Sequence, residues 1–217
     1  MQAGNARYLK AEDIPETIPI FPLSGALLLP SGQLPLNVFE PRYLMMFDDA
    51  LAHQRIIGMV QPSYSEQVHA ELCPVGCLGR ITSIAETGDG RYVTSLTGIC
   101  RYRLVEEIQS GKPYRSFRIA PFLTDLTADD DDEAIDRQAL LAAFRAYLDA
   151  NNLEADWDSV ERASNRTLVN SVSMMSPFGP AEKQALLEAP DLKTRAETLI
   201  AITEFAIAGD GSDTVLQ

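Results

Sequence analysis

The spacing of apolar residues changes along this 217-residue chain, and the change restricts the fold more than any other feature. Between Ile99 and Ile108 apolar and polar residues alternate, which predicts a strand with one buried face and a wet face carrying Arg101 and Arg103. From residue 135 onward the apolar residues recur at helical spacing. We therefore expect a β-rich first half and a helical second half.

Turn signals divide the first half into short strands. Asp89-Gly90 lies between two apolar runs, which is a strong hairpin signal, and Thr97-Gly98 predicts a second turn. The strands expected on either side of these turns are Gly76–Ala85, Arg91–Leu96, Ile99–Ile108 and Tyr114–Phe122.

Prolines interrupt the apolar runs near the N-terminus. Because proline cannot donate to a ladder, Ile18–Leu23 and Ala26–Leu29 are expected to form edge strands, bulges or turns. Pro41 suits the first turn of a helix that continues to about Ala52 with an apolar stripe. Short strands with a single inserted helix predict a small β pseudo-barrel.

The second half contains the patterns of several helices. One is expected over Ile135–Leu148 and another over Val160–Met175. A third begins near Pro180, and a fourth follows Asp191, which is a suitable N-cap, and is ended by Gly209 and Gly211. Short connections between them favour a helical bundle.

Charge is divided unequally along the chain. Residues 1–124 hold 11 Lys and Arg and 12 Asp and Glu, whereas residues 125–217 hold 7 and 19. The step falls at Asp129–Glu133, so we expect a β-rich domain over 1–124 and an acidic helical bundle over 125–217. The acidic run is expected at a helix N-terminus, where the macrodipole favours carboxylates.

The net charge of −13 argues against nucleic-acid and anionic-membrane partners.

The sequence carries no recognisable motif for catalysis or for a cofactor. It has no P-loop, since Gly111-Lys112 is followed by proline, and it has no nucleophile elbow. Cys73 and Cys77 have a C-x₃-C spacing with His69 nearby, but a structural zinc site needs a complete tetrahedral ligand set. Cys77 and Cys100 are instead expected as buried side chains on neighbouring strands. We expect no enzymatic activity, no metal and no cofactor.

No targeting segment is evident in the sequence. The N-terminal residues lack an apolar signal region, and no apolar stretch approaches the roughly 20 residues that span a bilayer. The odd number of cysteines suits reduced thiols, so we expect a cytoplasmic protein.

Five arginines are grouped on the predicted strands: Arg91, Arg101, Arg103, Arg115 and Arg118. They are interpreted either as a patch for an anionic or acidic-peptide ligand or as partners of acidic residues. The acidic partners would be Glu86, Glu106 and Glu107 on neighbouring strands, or the acidic helical half. Pairing is the preferred interpretation.

Several segments, taken in order, resemble one protein family. Pro19–Leu23, Leu27–Pro30 and Leu34–Tyr43 resemble the opening of the Lon protease N-terminal domain, the La substrate-binding domain. Later segments match the same pattern: Val75–Cys77, Ile81, Gly90-Arg91, Thr97–Tyr102 and Ser176–Lys183. The resemblance extends over residues 15 to 207 and is carried by the order of the segments.

The resemblance implies an α+β fold in two parts. An N-terminal pseudo-barrel of mostly antiparallel strands with an inserted helix, like that of pseudouridine synthase and archaeosine transglycosylase (PUA-like), is followed by a helical bundle. In Lon proteases this region is thought to recognise unfolded or degron-bearing protein substrates, with ATPase and peptidase domains after it. No Walker motif is present here, so a stand-alone member of the family is expected.

The matching segments and the arginine group together supply six candidate ligand contacts: Phe39, Glu40, Tyr43, Arg91, Arg101 and Arg103. Phe39 and Tyr43 are also expected as core residues. Glu40 is expected either to cap the helix that begins at Pro41 or to pair with an arginine such as Arg101.

The leading hypothesis is a non-catalytic module that binds unfolded or degron-bearing protein segments, or a protein partner. The surface expected for binding is a groove on the β-domain or its junction with the bundle. Two alternatives remain open: a hydrolase with an unrecognised site, and an RNA-binding barrel that uses Arg101 and Arg103. The sequence does not indicate an oligomeric state.

Overall fold

The computed structural model describes residues 1–63, 71–127 and 135–210. The acidic run Asp129–Glu133 and His69 lie outside the described residues. The chain divides into two compact units. The β-unit comprises Met1–Ala128 and Phe178–Leu187, and the helical unit comprises Asp129–Pro177 and Glu188–Gln217. The domain boundary placed between residues 124 and 125 stays a prediction.

The β-unit is built on a closed sheet. Its strands are β1 (Gln2–Ala3), β2 (Ala6–Arg7), β3 (Thr17–Pro22), β4 (Gln33–Val38), β5 (Ile56–Val60), β6 (Val75–Glu86), β7 (Tyr92–Ile108) and β8 (Ser116–Pro121). β1 and β2 pair with each other, and the main sheet has the order β4-β7-β6-β5-β3-β8. An additional β7–β8 pairing closes the sheet into a barrel, and within the main sheet the β3–β5 pairing is parallel. The predicted pseudo-barrel of mostly antiparallel strands is confirmed.

The proline-containing strand β3 is not the edge piece expected from the sequence. Its first half, Thr17–Pro19, pairs with β8, and its second half, Ile20–Pro22, pairs with β5. Each half is therefore bonded on one side along its own register. The backbone amides that donate there follow the prolines, because Ile20 donates to the carbonyl oxygen of Arg115 and Leu23 donates to that of Val60. Ala26–Leu29 forms no strand, and its three leucines are buried.

The second predicted turn, at Thr97-Gly98, is wrong. β7 continues through this point for 17 residues, pairing with β4 over its first part and with β8 over its last part. Gly98 is needed for close approach and not for reversal, because a Cβ there would collide with the carbonyl oxygen of Leu29. The Gly98 carbonyl accepts a hydrogen bond from the amide of Ser31 at 3.0 Å.

The barrel interior is apolar, and the phenol of Tyr102 is fully buried in it. Ile18, Ile20, Leu78 and Ile99 are fully buried around Tyr102. The Tyr102 hydroxyl donates to the carbonyl oxygen of Met59 at 3.1 Å, which satisfies its polar end.

Helices accompany the strands of the β-unit. The predicted inserted helix is confirmed as α1 (Pro41–Ala52), with Pro41 in its first turn. A short helix, α2 (Thr124–Thr127), follows β8. The helix predicted near Pro180 is α6 (Pro180–Glu188), and the β-unit includes it up to Leu187. Its Lys183 ammonium donates to the carbonyl oxygen of Gly25 at 2.9 Å. This hydrogen bond joins α6 to a segment of the β-unit that is 158 residues earlier in the sequence.

The helical unit contains α3 (Arg137–Ala150), α4 (Trp157–Arg162), α5 (Asn165–Met175) and α7 (Leu192–Asp210). The prediction of one helix over Val160–Met175 is wrong, because the helical conformation is interrupted at Ala163. Ser164 then caps α5, since its side chain accepts a hydrogen bond from the amide of Thr167. Asp191 accepts from the amide of Thr194 at 2.7 Å, as its predicted N-cap role requires. α7 extends to Asp210, which lies between the two glycines expected to end it, Gly209 and Gly211.

α7 packs against α3 and α5. Across the part of the chain that the structure describes, we find no helix whose length and apolar character would let it cross a membrane.

Candidate functional site

Phe39 was expected in the core, but it is exposed at the end of β4. Residues alternate along this strand, so that Leu36 and Val38 are buried and Phe39, with 60% of its surface exposed, lies on the outer face. The Arg91 guanidinium lies 5.7 Å from the centre of the Phe39 ring. Val93 is half exposed on the neighbouring strand opposite Asn37. We call the outer face formed by Phe39, Arg91 and Val93 the Phe39 surface.

Tyr43 is the buried neighbour of this surface. It lies in the first turns of α1, and its ring centre is 4.4 Å from that of Phe21 on β3. Burial raises the pKa of its phenol, so the group is neutral at physiological pH. The prediction that Tyr43 belongs to the core is confirmed.

Glu40 neither caps α1 nor pairs with Arg101. It occupies the N-cap position, but its side chain makes no capping hydrogen bond. Its carboxylate is instead bound by Arg42, with the guanidinium nitrogen 2.8 Å from the carboxylate oxygen. The Arg42 guanidinium also lies 4.6 Å from the centre of the Tyr43 ring. The ion pair therefore neutralises the charge at the start of α1.

A cavity of about 300 Å³ lies between β3, β4 and the start of α1. Phe21, Leu23 and Leu36 supply apolar lining, and Phe39 and Tyr43 line the same cavity. Its volume is at the lower end of the roughly 300–1,000 Å³ found for ligand pockets. Three of the six candidate residues, Phe39, Glu40 and Tyr43, therefore meet at one apolar pocket, and Arg91 lies beside it.

Arg101 lies elsewhere and is buried. Only 4% of its surface is exposed, so the expectation that it lies on the wet face of its strand is wrong. Its Nε and its backbone amide both donate to one carboxylate oxygen of Asp125 at 2.9 Å, and Nη2 donates to the other oxygen at 2.8 Å. Nη1 donates to the carbonyl oxygen of Leu187 at 3.2 Å. A buried guanidinium requires such pairing, and here it holds β7, α2 and α6 together.

The remaining arginines are largely engaged by carboxylates on the same unit. Arg115 forms two hydrogen bonds with Glu107, at 2.8 and 2.7 Å, and Arg118 pairs with Glu106. Arg91 pairs with Asp89 at 2.9 Å. The predicted cross-strand pairing is thus confirmed for Glu106 and Glu107. Arg103 is exposed and lies 5.9 Å from the Phe122 ring, but with Arg101 buried the two do not form an exposed basic pair.

Two of the three cysteines are buried in the sheet. Cys77 and Cys100 are buried on the neighbouring strands β6 and β7, as predicted. Burial raises the pKa of the Cys100 thiol to about 12, which keeps it protonated and a poor nucleophile. Among the residues that the structure describes, no group of three or more His, Cys, Asp and Glu side chains could hold a metal ion.

Two structural features were missed by the sequence reasoning. Val93 was not singled out, because its position beside Phe39 depends on the β4–β7 register. Asp125 was not recognised as the partner of Arg101, since nothing in the local sequence connects the two residues. The alternation of Leu36, Asn37, Val38 and Phe39 was a usable signal for the exposure of Phe39.

Known proteins share this architecture. The fold is similar to a Lon N-terminal domain protein from Xanthomonas campestris, with a TM-score of 0.62, 21% identity and coverage of 85% of this chain and 97% of that one. It is also similar to the N-terminal domain of a Lon protease from the Mycobacterium avium complex, with a TM-score of 0.65, 16% identity and coverage of 87% and 98%. At these identities the likeness concerns the fold.

Sequence relatives extend the likeness. Lon protease 2 of Sorangium cellulosum is 29% identical over 197 residues, which are 86% of this chain and 24% of that protein. Lon protease of Escherichia coli is 23% identical over 198 residues, which are 88% of this chain and 25% of that protein. The chain thus spans about a quarter of the length of these relatives. The family model described as the ATP-dependent protease La (LON) substrate-binding domain matches residues 17–204, and the chain belongs to this family.

Proposed function

We propose that this protein binds exposed apolar segments of unfolded or degron-bearing proteins at the Phe39 surface. The observation that carries the proposal is the 60% exposure of Phe39 over an apolar pocket of about 300 Å³. Aromatic side chains beside a pocket are typical anchors of protein interfaces. The family's substrate-binding description supports the same role.

Rigidity and charge support this surface as a binding site. Phe39 directly follows a strand of the sheet, and Tyr43, buried against Phe21, forms part of the pocket wall. A pre-formed wall lowers the ordering cost of binding. Arg91 and Arg42 are paired with Asp89 and Glu40, so the surface is close to neutral. A near-neutral apolar surface favours uncharged apolar segments over nucleic acid, whose binding depends on basic side chains.

The test is the affinity of the full chain for an unfolded protein. Fluorescein-labelled, reduced and carboxymethylated lactalbumin is the probe, fluorescence anisotropy is the measurement, and the native folded lactalbumin is the comparison. Phe39→Ser is expected to weaken binding by about tenfold or more, because it removes the aromatic anchor. The matched control is Val105→Ser on β7, where a residue 55% exposed lies outside the pocket lining.

Two results would overturn the proposal. Equal losses of affinity in Phe39→Ser and Val105→Ser would show that the Phe39 surface is not the binding site. Absence of binding to the unfolded lactalbumin would contradict the proposed function itself. Peptide and ester hydrolysis measured on the same preparation separates the hydrolase alternative, since turnover abolished by one substitution would contradict a binding-only role.

A further inference from the structure

The helical unit contains a cavity that the proposed function does not use. It has a volume of about 470 Å³ and lies between α3, α4, α5 and the segment that precedes α4. Its walls are apolar: Phe144 and Leu148 from α3, Val160 from α4, and Leu168 and Val172 from α5. We call it the helical-unit cavity. Its volume is within the range of roughly 300–1,000 Å³ found for binding pockets.

The rim of the helical-unit cavity exposes apolar side chains. Met175, at the last position of α5, is 83% exposed and lines the cavity, and Leu153 is also exposed at its edge. Methionine is flexible and polarisable, so it can adapt to different apolar partners. An apolar cavity continued by exposed apolar residues is typical of an interaction site.

The charged side chains that line the helical-unit cavity have one sign. Among the described lining residues, the charged side chains are Glu154 and Asp156, and both are acidic. The Ser159 hydroxyl and amide donate to the Asp156 carboxylate, and these hydrogen bonds lower the pKa of Asp156, which keeps it ionised at neutral pH. The nearby Arg145 guanidinium is stacked over Trp157 at 4.3 Å from the ring centre. Residues 125–217 hold 19 Asp and Glu against 7 Lys and Arg, so the wider field has the same sign.

We propose that the helical-unit cavity is a second docking site, which takes a short amphipathic helical segment of a protein partner that carries Lys or Arg beside its apolar residues. Apolar side chains of the segment enter the cavity, and its basic side chains face Glu154 and Asp156. The site goes beyond the proposed function, because the near-neutral Phe39 surface and this acidic cavity select segments of different charge.

The protein contains an intrinsic fluorescent reporter for peptide binding at the helical-unit cavity. Trp157 is the only tryptophan, and its ring centre is 6.1 Å from that of Phe144 in the cavity wall. The probe is a peptide of about four helical turns made of Leu and Lys, without aromatic residues, and the comparison peptide carries Glu in place of Lys. Titration of the full chain with the Leu/Lys peptide is expected to change Trp157 fluorescence saturably. The Leu/Glu peptide is expected to bind at least about tenfold more weakly, and added salt is expected to reduce the difference.

Matched variants locate the site. Met175→Ser and Glu154→Lys are each expected to weaken Leu/Lys binding by about fivefold. Phe205→Ser is the control, because Phe205 is 81% exposed on α7 and lies outside the cavity lining. Phe39→Ser is expected to leave this affinity unchanged, so that the two proposals fail independently. Since all four side chains lie on the surface, far-UV circular dichroism is expected to show an unchanged fold.

Several outcomes would overturn the inference. Equal affinity for the Leu/Glu peptide would contradict the proposed selection for basic segments. Unchanged affinity in both Met175→Ser and Glu154→Lys would show that the peptide does not bind at the helical-unit cavity. No fluorescence change, together with no anisotropy change of a labelled peptide, would show that the segment does not bind. Self-association of the chain that Met175→Ser abolishes would make a second copy the occupant.

Discussion

The β-unit and the helical unit differ in how far along the chain their polar groups find partners. In the β-unit, Arg101 pairs with Asp125, the Tyr102 hydroxyl reaches the carbonyl of Met59, and Lys183 reaches Gly25 across 158 residues. In the helical unit the helix starts are capped three residues away, by Asp136, Asp156, Ser164 and Asp191. Longer-range pairs occur there too, such as Arg137 with Asn165 at 2.6 Å.

This difference shows where single residues carry the most stability. A buried ion pair between distant segments has no substitute when one partner is removed, because the remaining charge stays in an apolar environment. An exposed cap can be replaced in part by water. We therefore expect substitutions at the distant contacts of the β-unit to exceed those at the caps of the helical unit.

The largest effect is expected from Asp125→Ala. It leaves the buried Arg101 guanidinium without its carboxylate partner and should lower the free energy of unfolding by about 3–5 kcal/mol. Urea unfolding followed by far-UV circular dichroism measures the change. Glu106→Ala is the control, because the Arg118–Glu106 pair is more than half exposed and should contribute at most about 1 kcal/mol. Similar losses in the two variants would contradict the contrast between buried and exposed pairs.

An intermediate effect is expected from Gly98→Ala. The added Cβ would collide with the carbonyl oxygen of Leu29, and overpacking of this kind should lower the free energy of unfolding by about 1–3 kcal/mol. Gly88→Ala is the control, since a Cβ at Gly88 meets no atom within 4 Å. We expect Gly88→Ala to be neutral or slightly stabilising in thermal unfolding. A neutral Gly98→Ala would show that the segment around Leu29 moves away without cost.

The smallest effect is expected in the helical unit, from Asp191→Ala. Loss of the cap on α7 should lower the free energy of unfolding by about 1 kcal/mol. The hydrogen bond from the Thr194 amide lowers the pKa of Asp191, so its ionic contribution is complete above the unfolded value of about 3.9. That contribution is lost as the pH falls through the lower folded pKa.

Asp191→Asn separates the cap from its charge. The variant keeps a capping acceptor but cannot titrate, so its stability should approach that of the wild-type chain as the pH falls below about 4. Thermal unfolding measured across the acid range follows the convergence. A difference between the two that stays constant with pH would contradict the assigned role of the carboxylate.

Sequence reasoning was more successful where a structure depends on neighbouring residues. The hairpin at Asp89-Gly90, the helix at Pro41 and the Asp191 cap were all predicted, since each depends on residues a few positions apart. The turn at Thr97-Gly98 was wrong because glycine also serves close approach, and only the packing of Leu29 distinguishes the two uses. In the candidate site, Phe39 and Tyr43 were identified, but their exposed and buried roles were not separated.

The sequence by itself determined that a β-rich part precedes a helical part, and it determined the hairpin at Asp89-Gly90, the helix at Pro41, the Asp191 cap and the family to which the chain belongs. Only the tertiary structure decided that Arg101 is buried against Asp125, that α6 is bonded to Gly25, and that Phe39 overlies a pocket. The physical reason is that caps and turns are satisfied by neighbours in sequence. Buried charges and cavities depend on which distant segments pack together, and no local pattern specifies that choice.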